Sequence, residues 1–177
     1  MKTFALLLFL APRIVHFSMG GDLTVDYAPN GATLRTMGGD IRVSRSNDLV
    51  VAKTMGGNIR IRQLEGSLDA GTMGGNVDVE ISGNGNGRVI DVRSMGGHLD
   101  VTVPREFSGN FDVELEQSGD DDRDHRIDSD IPLHIVETTH RLLLHEVRVL
   151  HGTSSGATNG NRVHLKTMGG EIRIRRE

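Results

Sequence analysis

The side chains that could do chemistry in this sequence come in columns rather than in clusters. A polar residue follows each of six Gly-Gly pairs: Asp22, Asp40, Asn58, Asn76, His98 and Glu171. Stacked carboxylates suggest calcium, but that ion wants about six to eight oxygens around one point. Glycine-rich repeats that supply them have a period of about nine residues, whereas here the commonest spacing is 18. Corner chemistry is the simpler use, since short Asx side chains bond nearby backbone at turns. The best candidate binding patch is cationic: Arg35, Arg42, Lys53, Arg60 and Arg62 fall on outward positions of two consecutive repeats. Arg42 would stack on Arg60, a like-charge contact that costs energy unless an anion lies across it. An anionic glycan, a lipid headgroup or an acidic envelope protein would provide that anion. The plain alternative is a solvated face with its long side chains fanned apart.

Other chemistry finds less support. His125, His134, His140, His145 and His151 crowd one quarter of the chain, but without the His-Glu-x-x-His spacing of a helical zinc site. There is no Cys, hence no disulfide, thiolate metal site or thiol nucleophile. No Gly-x-Ser-x-Gly elbow occurs, and Ser154-Ser155 is only a loop pair. Carboxylates are plentiful enough for the acid/base pair of a glycosidase, yet one Tyr and no Trp serve sugar stacking poorly. The residues therefore predict no catalytic set, no metal and no cofactor.

What positions these side chains is a repeat. Six times the chain writes Ser or Thr, then Met-Gly-Gly, a polar residue, and two apolar residues one apart. The glycine pairs are Gly20-Gly21, Gly38-Gly39, Gly56-Gly57, Gly74-Gly75, Gly96-Gly97 and Gly169-Gly170. Their preceding Met residues are separated by 18, 18, 18, 22 and 73 positions, and apart from Met1 no Met lies elsewhere. Alternation of period 2 runs on both sides of the pairs, as in Ala32/Leu34 before and Ile41/Val43 after, which is the mark of half-buried strands; only ahead of the first pair does it depart, with Ile14 and then His16. Parity changes across the glycines, so the chain must bend there. Glycine is expected to supply unusual backbone angles and close approach of neighbouring chains. A segment of 18 residues cannot bury such a face alone, so copies must stack, about 4.8 Å apart. The predicted fold is all-β: a single-chain β-solenoid of two-strand coils with Gly-Gly corners, its interior filled by Val, Ile, Leu, Ala and Met. An antiparallel meander is the rival; it explains alternation but not a recurring corner.

Length fits one domain with a continuous core. Charge is segregated: residues 1–63 carry a net +4, 64–130 a net −11 and 131–177 a net +3. An acidic chain with one basic end lacks a nucleic-acid-binding profile. Residues 1–11 hold one Lys and an apolar run too short to span a bilayer, expected as a signal peptide or an N-terminal cap. No transmembrane span is predicted. Repeat coils occupy 12–117, with Ser82–Gly87 an insertion on the return side and Gln117–Asp120 a decayed corner. Residues 118–130 are expected as an acidic exposed loop. Residues 131–177 are expected as C-terminal coils and cap, with a helix over 138–150 as an alternative because Leu143 and Val147 lie four apart. The charged ending Arg173, Arg175, Arg176 and Glu177 would block further pairing at an open end.

The run of copies, with its ending Gly160-Asn161-Arg162-Val163-His164-Leu165-Lys166-Thr167-Met168-Gly169-Gly170-Glu171-Ile172-Arg173-Ile174-Arg175, resembles a bacterial adhesin-like family, a domain of unknown function. In that family short strands alternate with a Thr-x-Gly-Asp/Asn-Ile-x-Ile corner, and a Gly/Asn-rich loop precedes the last one. The resemblance covers most of 14–177. It implies a β-helical protein, envelope-associated or secreted, and offers no catalytic residue to carry over. The expected function is thus a non-enzymatic surface for binding or scaffolding at the cell envelope. A self-assembling structural β-helix and a carbohydrate-active β-helix enzyme are the alternatives.

Overall fold

The computed structural model describes residues 13–118, 126–142, 145–154 and 160–177. The expected signal peptide or cap at 1–11 and His125 lie outside them. The strands of the first five repeats are β1 (Ile14–Phe17), β2 (Leu23–Val25), β3 (Ala32–Arg35), β4 (Ile41–Val43), β5 (Val50–Lys53), β6 (Ile59–Leu64), β7 (Leu68–Thr72), β8 (Val77–Ile81), β9 (Val89–Ser94) and β10 (Leu99–Val103). After them come β11 (Asn110–Ser118), β12 (Ile127–Ser129), β13 (His134–Leu142), β14 (His145–Ser154), β15 (Arg162–Thr167) and β16 (Ile172–Arg176).

The two strands of each repeat go to different sheets. The nine-stranded sheet runs β1-β3-β5-β7-β9-β15-β11-β14-β13, and the seven-stranded sheet β12-β16-β10-β8-β6-β4-β2. Every neighbour pair within the repeats is parallel, with equivalent residues in register, such as Ala32 on Val50 and Ile41 on Ile59, save for one shift late in the β6–β8 pair. A meander would have given antiparallel neighbours. The side chains expected inward are buried in one continuous core, among them Leu34, Ile41, Ile59, Ile61, Leu68, Ile90, Leu99, Leu165 and Ile172.

The corner is built by a hydroxyl and one glycine. Thr36, Thr54, Thr72, Ser94 and Thr167 are buried. Thr54 Oγ1 donates to the Gly39 carbonyl below at 3.0 Å and accepts the Gly57 N–H of its own corner at 3.2 Å. Thr72 repeats this toward Gly57 and Gly75, and Ser94 toward Gly75 and Gly97. The hydroxyl thus satisfies backbone groups that the bend takes out of the strand ladder. A Cβ on the second glycine of the later five pairs (Gly39, Gly57, Gly75, Gly97, Gly170) would stand 1.9–2.2 Å from the glycine carbonyl oxygen of the repeat below, whereas on Gly21 in the first pair it would meet only Ser18 Oγ at 3.3 Å. On the first glycine (Gly38, Gly56, Gly74, Gly96, Gly169) it would meet nothing nearer than 3.6 Å. None of these glycines takes a left-handed φ; among the described residues that conformation falls to Gly31, Gly83, Gly87, Gly160 and Gln63. Close approach at the second position, not backbone freedom, is what the pair provides.

Other expectations are corrected. The methionines are not interior: Met37, Met55, Met73, Met95 and Met168 form an exposed column. Thr36 continues the inward parity of Ala32 and Leu34, which turns Met37 out. The acidic stretch 118–130 is not all loop, because β12 pairs in parallel with β16, and Asp128 and Asp130 meet Arg175 at 2.8 and 3.5 Å. The segment 131–154 is not a coil: β13 and β14 form an antiparallel hairpin that lies on β11, and a helix over 138–150 is absent from its described residues. Most notably, the last repeat does not close an end. β15 sits between β9 and β11, and β16 between β10 and β12. Its arginines guard no open edge; Arg173 pairs with Glu171, which Arg126 ahead of β12 also meets, and Arg175 pairs with Asp128.

The interposed repeat is fastened by Asn161, a buried side chain. Its Oδ1 accepts the Arg88 N–H at 2.9 Å, and its Nδ2 donates to the carbonyls of Gly85 and Ser108 at 3.1 and 3.0 Å. The insertion loop wraps the Arg88 guanidinium through the carbonyls of Ser82 and Gly83, at 2.8 and 2.7 Å. Phe107 packs edge-on against Phe111 and under Arg88.

Candidate functional site

The five predicted cations do not form one patch. Arg35 and Lys53 share a column on the nine-stranded sheet, whereas Arg42, Arg60 and Arg62 lie on the seven-stranded sheet. The Gly-Gly corner between them separates the two groups. Arg42 does sit directly against Arg60 in the register, but no outside anion is needed to relieve the repulsion. Arg42 turns toward Asp22 (3.1 Å) and Asp40 (2.6 Å), and Arg60 toward Asp78 (3.2 Å). Arg62 reaches Glu80 at 2.9 Å and Asp78 at 3.4 Å, and these carboxylates raise its pKa above the usual guanidinium value. Lys53 pairs with Asp69. Arg35 has no carboxylate partner among the described residues.

The Asp/Asn column also has a structural use, though not the expected local turn. Asp22 Oδ1 accepts the Asp40 N–H one repeat above at 2.9 Å, and Asp40 does the same for Asn58 at 2.8 Å. Asn58, Asn76 and His98 continue the series up to the Glu171 N–H. That backbone bond from Asp40, together with Arg42, holds the Asp22 carboxyl below the usual range. Burial pushes Glu171 up, but Arg126 and Arg173 outweigh it and leave its carboxyl low. Among the described residues no three His, Cys, Asp or Glu side chains are placed to hold a metal. Nor is any described helix long and apolar enough to cross a membrane.

The regular pattern breaks in one place. Between Ile61 and Leu64 the register of β6 on β8 shifts, so that Arg62 and Gln63 oppose Glu80 alone. Gln63 has φ 44°, the one non-glycine residue in the left-handed region among those described. Such a conformation costs about 1–3 kcal/mol and persists only where the surroundings enforce it. The backbone here is held by the Ser46 N–H, which donates to the Gln63 carbonyl at 3.3 Å, and by buried Leu64 paired with Ile81, while Arg45 Nε donates to the Gln63 side chain Oε1 at 2.8 Å. Here Asp26, Tyr27, Ser44, Arg45, Arg62, Gln63 and Glu80 line an open cavity of about 630 Å³. Tyr27, the chain's only tyrosine, is half exposed in it. The terminal nitrogens of Arg45 have no hydrogen-bond partner among the described residues, which leaves a planar two-donor fork lining the same cavity as the Tyr27 ring. Only Arg62 of this group was marked by sequence reasoning. Tyr27 could have been found as the lone aromatic ring in a return loop; nothing in the sequence signals the backbone of Gln63.

The chain matches no protein-family model, and comparison with curated proteins and with solved structures found no match.

Proposed function

We propose that this chain is a β-solenoid of the adhesin-like kind, a non-enzymatic binding or scaffolding protein of the bacterial cell envelope or exterior. The observation that carries the reading is the cavity at the β6 bulge, where strain at Gln63 is maintained next to Tyr27 and the open fork of Arg45. Bulges re-aim side chains where a repeat does something besides stacking, and strain retained against a uniform background marks function. A ring and a guanidinium fork suit a carboxylated sugar: the ring takes the apolar face of the pyranose, and the fork takes the carboxylate. An anionic glycan is therefore the favoured ligand among the three anionic classes. Display by a single molecule, rather than growth by self-stacking, is supported by the antiparallel hairpin β13–β14 and the three-residue β12 at one end, which interrupt the parallel template.

The test is retention on an immobilised polyuronate at moderate salt. Wild-type protein is expected to be retained and to elute with soluble uronate, and Tyr27→Ala and Arg45→Ala are each expected to lose about tenfold in affinity, the scale of one stacking or charge-assisted contact. Retention that survives both substitutions would sink the assignment. Recovery of the native protein only from the soluble cytoplasmic fraction of its cells would sink the envelope location.

A further inference from the structure

Every methionine after Met1 occupies the same rung of the repeat. From Met37 to Met168 these side chains are 44–52 % exposed, so packing does not demand them. They follow one another in sheet order as Met19, Met37, Met55, Met73, Met95 and Met168. Met73 N–H and Gly74 N–H both bond the Met55 carbonyl, at 3.2 and 3.1 Å, so adjacent side chains start about one strand spacing, ~4.8 Å, apart. Four of them, Met55, Met73, Met95 and Met168, line one open groove of about 370 Å³.

The neighbouring surface positions have drifted where methionine has not. The rung two residues earlier reads Phe17, Arg35, Lys53, Gly71, Arg93 and Lys166, and the residue after the glycines is Asp, Asn, His or Glu. Buried rungs exchange Ile, Leu, Val and Ala freely. An exposed apolar ridge would be served equally by leucine or valine. What methionine alone contributes is a neutral, polarizable thioether, a donor that selects soft metal ions and ignores hard ones. The cations bordering the groove do not forbid a positive guest, since each is held by carboxylates: Lys53 by Asp69, Arg93 by Asp91 (2.5 Å), and Lys166 by Glu114 (3.0 Å) and Glu116 (2.5 Å).

We propose that the methionine column is a binding site for a soft monovalent cation, Cu(I) or its air-stable analogue Ag(I), held by thioethers of successive repeats around Met73 and Met95. The site lies apart from the Tyr27 cavity and does not depend on the glycan reading. Ag(I) is the probe, titrated into the intact protein carrying ¹³C-methyl-labelled methionine. The expected result is saturable binding with shifts in the methyl signals of Met55, Met73, Met95 and Met168, unaffected by excess Ca²⁺. The double variant Met73→Leu, Met95→Leu keeps the ridge apolar and the fold intact by circular dichroism, and is expected to bind Ag(I) at least tenfold more weakly. Equal binding by that variant, or perturbation confined to histidine ring signals such as those of His151 and His164, would overturn the assignment.

Discussion

Alanine at Gly57 and alanine at Gly56 make opposite demands on the same corner. At Gly57 the new Cβ would lie 2.0 Å from the Gly39 oxygen and 2.4 Å from its carbon. Real Cβ atoms do not come within 3.0 Å, so the two repeats must part by at least the difference. An opening of that size takes the Thr54 Oγ1–Gly39 contact, now 3.0 Å, beyond hydrogen-bonding range, and it strains the 3.2 Å bond from Gly57 N–H. Each buried group left without a partner costs about 1–3 kcal/mol, and forcing extra volume into a packed site about 1–3 kcal/mol. The expected loss for Gly57→Ala is about 4 kcal/mol. At Gly56 the nearest atom is the Met37 oxygen at 3.9 Å, an ordinary contact. Gly56→Ala also restricts the unfolded chain, which favours folding by about 0.4–1 kcal/mol, so it should change stability by no more than about 1 kcal/mol. Urea unfolding followed by far-ultraviolet circular dichroism separates the two. With a slope of about 2 kcal/mol/M, Gly57→Ala should lower the midpoint by about 2 M and Gly56→Ala should barely move it. Similar losses for the pair, or a loss at Gly57 below about 1 kcal/mol, would refute the claim that close approach rather than backbone freedom dictates the glycines.

Two further perturbations probe the interposed repeat and the ion pairs. Asn161→Ala removes an acceptor from the Arg88 N–H and donors from two carbonyls in a buried site, and is expected to cost about 3 kcal/mol in urea unfolding. Asn161→Asp should do no better, since it keeps the acceptor but loses both donors and buries a charge. On the pH axis, Asp22 and Glu171 have folded pKa values below their ordinary 3.8 and 4.5, so their stabilisation is complete above that range and is lost as pH falls through the lowered values. Lys166 is raised above 10.5 by Glu116 and Glu114, so its contribution is complete below that pH and is lost as pH climbs through the raised value. Melting temperatures across pH should fall at both limits, with Glu171→Gln flattening the acid limb and Lys166→Met the alkaline one.

How much of this was legible in the sequence depends on which residues set each feature. The alternation around each corner, the stacking of Arg42 on Arg60 and the loop at Ser82–Gly87 follow from pattern and spacing, because each is decided within one repeat or between adjacent copies. The place of methionine was also written there. Ala32, Leu34 and Thr36 share one parity, so Met37 had to face out; its apolar character drew the eye inward while the polar Thr36 took the buried rung. The division of the cations follows from the same corner, since residues on either side of Gly-Gly enter different sheets. The Tyr27 cavity was not legible, because the bulge at Gln63 is a difference between β6 and β8 and appears in neither alone. The antiparallel hairpin β13–β14 was missed for a related reason: alternation identifies strands but not the direction of their neighbours.

The order of the repeats can be argued from the corner itself. All copies present the same faces, so alternation alone would let any of them lie on any other, and the last copy lies on the fifth across 73 positions of sequence. What differs is the corner chemistry. β15–β16 carries Thr167 and Gly170, and Thr167 Oγ1 reaches the Gly97 carbonyl at 2.9 Å, continuing the hydroxyl series without a break. β11 sets Leu115 on the rung of Thr167, and continuing that register sets Ser118 opposite Gly170. It therefore lacks both the hydroxyl that closes a corner and the glycine that permits one. Consistently, β11 runs on for nine residues where the corresponding strands β9 and β15 run for six. A repeat of that kind, placed between the fifth and the last, would have left the Gly97 carbonyl without its hydroxyl and held the next corner off. Beyond the last intact corner it is free to straighten, and a straight, extended edge is what the antiparallel strand β14 can pair with. The decayed corner is thus the feature that ends the stack, and the intact copy at the end of the chain is the one that completes it.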